Sequence, residues 1–544
     1  MKSVAIVGAG PAGLVAARYL LGQGFDPVLL EQSGDLGGQW QAGAAHSGVW
    51  PAMRTNTSRV VTCFSDLPHA DGVAVYPHNR DMHAYLRRYA REHGLERRIE
   101  LHTRVVEVDR DDSGGWRVSS LAADGTVRSR TFDRVVIATG RYAKPKMPPV
   151  PGADTFAGAG GVSHTFGYRG AERYRGMNVV VAGGNISALE IASELAHHAA
   201  AVVSSQRRQR YVFSKLIGGV PAELVAFTRF AALAAESLPR DAGAQALKQL
   251  VLRASGSPDA LGALAPADNV LEAGITLSQH FLPLVAEGRI VAKPWIARVD
   301  GRMVTFRDGT SVEADALIFG TGFEAHLPFL SERLHRVVRA GRNGLELFAQ
   351  TLHPDLAGLA FLGQFDVVGP FFPLIELQAR WLAYAWSGAR PAPSRAELAA
   401  GIEAQRPMFD GPVGFPMHAL AVQLARLAGV EPDLRAHPDL SRALLFGPLT
   451  PVSFRLTGPD ALQDVDARIA AAAAQFGVVP DSCLTPEQRA QLRALAAARG
   501  DEGLASLAAG VSLRAASAIV DNARPWNPST RTTPHAAWTS SARS

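Results

Sequence analysis

The stretch VAIVGAGPAGLVAARYL, residues 4–20, constrains the fold more than any other part of the chain. Its short run of β-branched and small apolar residues, ending at Val7, predicts a buried parallel strand. A glycine turn and a helix follow. Gly8 permits the sharp turn, Gly10 lets the backbone approach a pyrophosphate, and Gly13 lets the helix pack on the strand. The N–H groups at the start of the helix are then free to bind phosphate.

A second predicted strand, Pro27 to Leu30, precedes Glu31, which lies 23 residues after Gly8. A carboxylate at this distance can accept hydrogen bonds from ribose hydroxyls. A strand, a glycine turn, a helix and an acidic residue in this order predict an α/β domain that binds a dinucleotide.

The composition excludes several classes of protein. A chain of 544 residues with 47% apolar and 19% charged residues is typical of a globular protein of two or three domains. The net charge of +5 is not gathered into a basic tail, so we expect no nucleic-acid partner. Cys63 and Cys483 form no C-x-x-C pair, which favours a reducing, cytoplasmic setting. The chain begins with a strand and has no long apolar run, so we expect neither export nor a membrane span.

Between the first glycine turn and residue 140, five features stand out. DLGGQW, residues 35–40, is a glycine-rich loop, and residues 50–77 are irregular for so long that a functional loop is favoured. Asp81 to His93 is predicted as an amphipathic helix that buries Tyr85, Leu86 and Tyr89. A meander of three strands follows, and then a buried strand, Arg134 to Ala138, that ends in ATG.

The proline-rich segment 144–152 is predicted to link two domains, because the chain then repeats its opening pattern. Gly183, Ser187 and Ala188 fit a second dinucleotide turn, with Asn185 at the middle glycine position. We expect the turn to survive, because asparagine tolerates positive φ.

The next strand is followed by Arg207 and Arg208 instead of a carboxylate. Arginine at this position favours binding of the 2′-phosphate of NADP. The same sequence would also be found if the two arginines only lined a solvated edge. Two such units imply either two cofactors or one active and one relic unit.

The rest of the second unit and the C-terminal part complete the predicted layout. Residues 220–265 are predicted as a helical insertion that either covers the nicotinamide or simply packs on the core. Its residues Leu224, Phe227, Phe230 and Leu233 are spaced to bury one face. The second sheet ends in GTG, residues 320–322. Thr485, Pro486 and Gln488 predict a helix start and Gly500 its end; from Asn522 onward we expect disorder or a loosely docked tail.

Several of these motifs together resemble the flavin-containing monooxygenases, which are class B flavoproteins that use FAD and NADPH. The resemblance covers residues 4–476. It includes GAGPAG, the GGQW loop, TNTSR followed by FSDLP, both T-G turns, FEAHLPFL, ELQARW and LFGPLTP. Phe156, Gly158, His164 and Tyr168 resemble the family signature, with two extra residues before His164. Tyr168 stands where Baeyer–Villiger enzymes carry tryptophan, which favours oxidation of a heteroatom.

The resemblance implies an α/β fold with two Rossmann-type domains, the second inserted in the first, and a helical C-terminal extension. The implied boundaries are 1–165 and 323–476 for the FAD domain, 170–322 for the NADPH domain, and 477–544 for the extension and tail. The implied cofactor-binding residues are Gly8, Gly10, Pro11, Ala12, Gly13, Glu31, Gln32, Gly38, Gln39, Trp40, Thr55, Asn56, Val105, Ala138, Thr139, Gly140, Gly183, Asn185, Ser187, Ala188, Arg207, Arg208, Thr321, Gly322 and Asp366. No metal ligand is assigned.

The activity implied is oxygenation of nitrogen or sulfur in a small organic molecule by a flavin 4a-hydroperoxide, with O₂ as co-substrate. The resemblance assigns Asn56 the catalytic role, at the junction of flavin and nicotinamide, whereas the residues alone would equally allow a loop-capping asparagine. His164 is expected to be structural. A Baeyer–Villiger monooxygenase or NADPH oxidase and a flavin-bound binding module without turnover are the alternatives. The substrate and a homodimer are left open.

Overall fold

The structure is a computed structural model that describes residues 1–111, 114–411 and 413–509. Its first part begins with the fingerprint turn between a strand and a helix and ends with a three-stranded meander and one further strand. The elements are β1 (Ser3–Val7), α1 (Pro11–Gly22), β2 (Asp26–Leu30), α2 (Asn79–Glu92), β3 (Ile99–Glu100), β4 (Arg104–Arg110), β5 (Trp116–Leu121), β6 (Val127–Phe132) and β7 (Arg134–Ile137).

The second part contains a second parallel sheet and the helical insertion. Its elements are β8 (Lys144–Pro145), β9 (Gly161–His164), β10 (Asn178–Ala182), α3 (Ile186–Leu195), β11 (Ala201–Gln206), β12 (Tyr211–Phe213), β13 (Leu216–Ile217), β14 (Val220–Pro221), α4 (Ala222–Ala226), α5 (Arg229–Ser237), α6 (Arg240–Ser255), α7 (Val270–Ala273), β15 (Ile275–Leu277), α8 (Phe281–Ala286), β16 (Val291–Pro294), β17 (Ile296–Asp300), β18 (Met303–Phe306), β19 (Ser311–Glu313), β20 (Ala316–Phe319) and β21 (Phe323–Glu324).

The third part is mainly helical and returns one strand to the first sheet. Its elements are α9 (Glu332–Val337), β22 (Leu359–Phe361), β23 (Val367–Val368), α10 (Phe372–Ser387), α11 (Arg395–Phe409), β24 (Phe415–Pro416), α12 (Met417–Ala428), α13 (Ser441–Phe446), α14 (Val465–Ala474), α15 (Pro486–Arg499) and α16 (Glu502–Ala509).

Two parallel sheets of five strands form the centre of the molecule. The first has the order β22-β7-β1-β2-β3 and the second β16-β11-β10-β20-β9. Because β22 joins the first sheet only after the whole second sheet has been completed, the second domain is inserted in the first, as predicted. The chain crosses between the sheets on β8 and β21, which pair antiparallel. The exact domain boundaries stay a prediction.

The predicted helix that carries Tyr85, Leu86 and Tyr89 is confirmed as α2, and all three side chains are buried. Helix α1 packs on the first sheet and against α10, and α10 packs between α1 and α12, so both helices are buried almost all round. No helix in the described ranges combines the length and the apolar character needed to cross a membrane.

The prediction of one apolar face across the insertion is wrong. The chain turns between α4 and α5, because the Thr228 side chain accepts a hydrogen bond from the N–H of Ala231 and starts a new helix. Leu224 then packs on Val60 and Val61. Phe227 lies against the α10–α12 core, whereas Phe230 and Leu233 join the C-terminal helices.

The helical extension begins as its sequence predicts. The Thr485 hydroxyl accepts a hydrogen bond from the N–H of Gln488 and the Gln488 side chain accepts one from Thr485, so the capping box of α15 is complete. Helix α15 ends at Gly500, which has φ +62°. At its last turn the Arg499 guanidinium donates to Glu236 on α5 at 3.1 Å, which ties the extension to the insertion. The predicted tail from Asn522 onward lies outside the described residues.

A buried polar cluster joins α1, α10, the Ser65 loop and the C-terminal segment. The Tyr19 hydroxyl donates to Glu376 at 2.6 Å, and the Arg455 guanidinium donates to the Tyr19 and Ser65 oxygens at 2.6 and 2.9 Å. The backbone N–H of Ser65 donates to the other Glu376 oxygen at 2.9 Å. Burial raises the pKa of Glu376. Since a lone buried charge is costly, Arg455 stabilises the structure only together with its partners.

Candidate cofactor and active site

The first glycine turn, at the end of β1, has no room for side chains. Gly8 has φ +103°, and a Cβ there would lie 2.8 Å from the carbonyl oxygen of Ala138. A Cβ on Gly13 would lie 2.0 Å from the carbonyl oxygen of Gly8. The turn therefore brings the start of α1, with Pro11 at its first position, against the end of the sheet.

The GGQW loop closes over this turn. The N–H of Gly37 donates to the carbonyl oxygen of Ala9 at 2.9 Å, and Gly38 begins a 3₁₀ turn that ends at Trp40 and includes Gln39. A Cβ on Gly38 would lie 3.0 Å from the Gly10 Cα. Two bare backbone segments therefore face each other beside the N-terminus of α1, an arrangement that fits a pyrophosphate.

Glu31 lies buried beside the turn and holds it in shape. One of its oxygens accepts the N–H of Ala9 at 2.8 Å, and the other accepts the N–H and hydroxyl of Ser33 at 3.0 and 2.7 Å. Next to Glu31 a cavity of about 590 Å³ opens, and its lining includes Gln32, His46 and Arg104. Val105, the neighbour of Arg104, is buried at the start of β4. This cavity fits the adenosine half of FAD.

The ATG turn borders the same site from the other side. The N–H of Ala138 donates to the carbonyl oxygen of Val7 at 3.0 Å, which places Thr139 and Gly140 at the end of β7. The buried Gln364 donates from Nε2 to the Thr139 hydroxyl at 3.3 Å. Gln364 was not among the predicted residues, although it is the glutamine of FLGQFDVVG. Within FLGQFDVVG, Gln364 is a residue whose side chain contacts the ATG turn.

Asp366 is already engaged by protein groups. Its Oδ1 accepts hydrogen bonds from Arg141 Nε at 2.9 Å and from the Tyr142 hydroxyl at 3.0 Å. These contacts tie the segment after Gly140 to the segment after β22. The predicted contact between Asp366 and flavin stays a prediction.

The second glycine turn, at the end of β10, repeats the geometry of the first with one exchange. Gly183 has φ +149°, and a Cβ there would lie 2.3 Å from the carbonyl oxygen of Gly320. A Cβ on Gly320 would lie 2.6 Å from the Ala188 Cβ. Close packing of helix and strand is therefore achieved by a glycine on the strand side, where the first unit has Gly13 on the helix side.

Asn185 does not have the positive φ that its place in the turn predicts, so that prediction is wrong, although the turn itself is formed. Asn185 has φ −114°, so no left-handed conformation is needed. Its side-chain oxygen accepts the N–H of Ile186 at 3.0 Å and caps α3, and Ser187 follows in the first turn of that helix. Behind the turn, Thr321 and Gly322 both bond to Lys146. The Thr321 hydroxyl donates to the Lys146 carbonyl at 2.6 Å, and the Lys146 N–H donates to the Gly322 carbonyl at 3.0 Å.

Gln206 occupies the place in the second sheet that Glu31 occupies in the first, and the sequence analysis missed it. Leu30 pairs with Val7, Ser205 pairs with Ala182, and each of the two residues follows directly. Gln206 is 2% exposed, and its Oε1 has no hydrogen-bond partner among the described residues. A buried acceptor without a partner fits a ribose hydroxyl, and a neutral amide does not repel a neighbouring phosphate.

Arg207 and Arg208 are exposed directly after Gln206. The Arg207 guanidinium lies 4.8 Å from the centre of the Trp295 ring, a contact that holds it beside the end of β11. A positioned arginine next to a neutral Gln206 fits the 2′-phosphate of NADP.

Asn56 lies in a loop that is fixed on both sides. The N–H of Thr55 donates to the carbonyl of Pro77 at 2.9 Å, and the N–H of Ser58 donates to Glu223 on α4 at 2.5 Å. Asn56 is half-buried, and its side-chain amide forms no hydrogen bond within the part of the chain that the structure describes. An amide held in place and left free is available to a ligand.

His164 has a structural environment, in agreement with its expected role. Its Nδ1 accepts the N–H of Phe166 at 3.0 Å, and its ring centre lies 5.3 Å from that of Phe323. Burial lowers the pKa of His164, so the ring is neutral near pH 7.

Comparisons with known proteins agree with this geometry. A family model described as flavin-binding monooxygenase-like matches residues 1–475. The chain belongs to this family. It is 29% identical to flavin-containing monooxygenase 5 of Oryctolagus cuniculus, over 84% of this chain and 89% of the relative. It is 30% identical to flavin-containing monooxygenase 3 of Macaca mulatta, with the same coverage.

Solved structures support the fold of this family member. S-allyl-L-cysteine S-oxygenase of Allium sativum is 23% identical with a TM-score of 0.55, over 93% of this chain and 98% of that one. Cyclohexanone monooxygenase of Rhodococcus sp. Phi1 is 17% identical with a TM-score of 0.59, over 79% and 97%. These structures confirm the predicted fold with two Rossmann-type domains. Membership of the flavin-binding monooxygenase-like family makes the chain an FAD- and NADPH-dependent monooxygenase, which confirms the predicted family and cofactors.

Proposed function

We propose that the enzyme inserts one oxygen atom of O₂ at a nitrogen or sulfur of a small organic substrate. For a tertiary amine, the amine, O₂, NADPH and H⁺ give the N-oxide, NADP⁺ and water. When bound, FAD would supply the redox chemistry, which is acceptance of a hydride from NADPH and activation of O₂. The oxygen-carrying flavin adduct that the resemblance implies stays a prediction.

In this proposal the two glycine turns hold the two cofactors. The backbone N–H groups at the start of α1, beside Gly10 and Gly38, and the cavity beside Glu31 would hold FAD, with Thr139 and Gln364 at the far end. Gly183, Gln206 and Arg207 would hold NADPH. These roles are supported by the bare backbone at both turns and by the unpartnered Gln206 oxygen.

The free amide of Asn56 carries the assignment of the active site. It lies on a loop that is bonded to both domains, so it can orient a ligand held between the two cofactor sites. An electron-rich nitrogen or sulfur needs orientation and exclusion of water more than it needs a general base. Heteroatom oxygenation is further supported by Tyr168, which is buried against Trp50 with ring centres 5.8 Å apart. Tyr168 stands where the ketone-oxidising relatives are expected to carry tryptophan.

A comparison of three probe substrates, each supplied in a separate reaction, tests the proposal. The purified enzyme with FAD receives NADPH and ¹⁸O₂ together with N,N-dimethylaniline, methyl phenyl sulfide or cyclohexanone. We expect an N-oxide or a sulfoxide that carries one ¹⁸O atom. A lactone as the only product would establish a Baeyer–Villiger enzyme instead, and hydrogen peroxide as the only product would establish an NADPH oxidase. Samples without NADPH provide the control.

A further inference from the structure

The loop that carries Asn56 is bonded to the inserted domain at three places. The Trp50 indole N–H donates to Glu194 on α3 at 2.8 Å. The Tyr76 hydroxyl donates to the carbonyl oxygen of Lys215 at 2.7 Å. The third bond, from the N–H of Ser58 to Glu223 Oε1 at 2.5 Å, is the one nearest to Asn56 in sequence.

Glu223 is an unusual residue to find at this place. It is 5% exposed, and its neighbour Leu224 packs on Val60 and Val61 of the same loop. Burial raises the pKa of Glu223, while the hydrogen bonds from Ser58 and the Lys215 ammonium act in the opposite direction. A buried carboxylate is costly, and an apolar side chain of the same volume would fill the space. A hydrogen bond to the loop is what the carboxylate adds.

Lys215 connects this carboxylate to the second glycine turn. Its ammonium group donates to Glu190 at 3.3 Å, and Glu190 lies on α3, whose N-terminus is capped by Asn185. Lys215 is buried like Glu223. Glu190, Lys215 and Glu223 therefore form a row of charges in which the half-buried Glu190 binds Lys215 directly and the buried Lys215 acts on the buried Glu223 through its electric field.

We propose that Glu223 is a positioning residue for oxygen transfer, because its carboxylate fixes the Ser58 end of the Asn56 loop. The proposal rests on the role of Asn56 proposed above. Glu223 acts through the backbone and does not touch the reacting atoms. It makes the placement of Asn56 depend on the inserted domain, because the Ser58 end of the loop has this bond only when that domain is docked.

Two nearly isosteric substitutions separate the hydrogen bond from packing. Glu223→Met has no acceptor, whereas Glu223→Gln keeps an oxygen within reach of the Ser58 N–H. Glu272→Met, at an exposed glutamate on α7 of the same domain, is the matched control. Glu223→Leu replaces the methionine variant if that protein does not fold.

The first readout is hydrogen–deuterium exchange of residues 55–62 in the FAD-loaded protein, which requires no turnover. We expect exchange at least fivefold faster in Glu223→Met, near wild-type exchange in Glu223→Gln, and no change in Glu272→Met. Equal exchange in the methionine variant and the wild type would overturn the proposal.

The second readout is oxygenated product formed per NADPH consumed. We expect it to fall at least fivefold in Glu223→Met, with a matching rise in hydrogen peroxide and NADPH oxidation within threefold of wild type. Glu223→Gln should recover at least half of the yield. A methionine variant with wild-type yield, or a glutamine variant as poor as the methionine one, would overturn the proposal. Absence of product in the wild type would instead count against the proposed function and leave the exchange result valid.

Discussion

Gln206 and Glu31 are the same position of two different sheets. Each follows the residue that pairs with the last residue of the central strand, Ser205 with Ala182 in one sheet and Leu30 with Val7 in the other. The Glu31 carboxylate accepts hydrogen bonds from the N–H groups of Ala9 and Ser33, whereas the Gln206 side-chain oxygen has no partner among the described residues. The two proposed cofactor sites therefore differ by one carboxylate at this position.

Gln206→Glu should weaken the preference for NADPH. A carboxylate next to the proposed 2′-phosphate repels it, and we expect kcat/KM for NADPH to fall about tenfold relative to NADH, about 1.4 kcal/mol. The ratio of the two kcat/KM values checks this. Gln475→Glu adds the same charge at an exposed position and should leave the ratio unchanged.

Arg207→Ala should shift the preference in the same direction, because it removes a cation that lies on Trp295. We expect the NADPH to NADH ratio of kcat/KM to fall about tenfold. Arg207→Lys keeps the charge but not the planar fork, so it should fall between the wild type and the alanine variant. An unaltered ratio in Arg207→Ala would assign this arginine to the solvated edge.

Asn56→Ala should leave FAD bound and its reduction by NADPH largely intact, while the yield of oxygenated product falls. Asn56→Asp, which has the same shape but lacks the donor, should show a similar loss if donation by the amide is what matters. Product yield per NADPH and the rate of anaerobic flavin reduction are the two measurements. An unchanged yield in both variants would remove Asn56 from the active site.

Arg455→Met should destabilise the fold by about 3–5 kcal/mol, because it leaves the buried Glu376 without its cation. The double variant Arg455→Met/Glu376→Gln should unfold at a higher temperature than Arg455→Met alone, since the uncompensated charge is gone. Thermal unfolding of the FAD-loaded proteins compares them, with Arg336→Met at an exposed site as control. Additive losses in the double variant would contradict this account.

Acid should destabilise the protein in part through His418. Burial lowers the pKa of His418 from 6.5 to about 4 in the folded state, so the neutral ring is the form that fits. The neutral ring therefore contributes about 3 kcal/mol to the free energy of unfolding above pH 6.5, and this contribution is lost as the pH falls towards 4. His418→Leu should therefore lose less stability than the wild type between pH 6.5 and 4. The same substitution at the exposed His280 should follow the wild type.

Local patterns in the sequence were sufficient for the first turn and the ends of helices. The conformations of Gly8 and Gly13 and the capping box of Thr485 and Gln488 depend on neighbours a few residues away. Short sequence motifs are therefore enough to predict them. The insertion of one domain in the other was implied by the family resemblance, and the structure agrees because β22 joins the first sheet after the second sheet is complete.

Contacts between distant segments could not be predicted in the same way. Ser58 and Glu223 are 165 residues apart, and no spacing rule connects them. Gln206 could be assigned only from the strand register, which gives it the position in the second sheet that Glu31 has in the first. The apolar positions of the insertion suggested one face, but the cap at Thr228 divided them between separate cores.

The two crossings between the sheets lie side by side. Phe323 pairs with Pro145 and Glu324 with Lys144, and the Lys144 ammonium lies 3.0 Å from the Glu324 carboxylate. The chain therefore enters and leaves the inserted domain at one place, on the paired strands β8 and β21. An exchange of the segment between these paired residues for that of a relative would keep both ends in place, but it would also have to preserve the bonds from Ser58 to Glu223 and from Arg499 to Glu236.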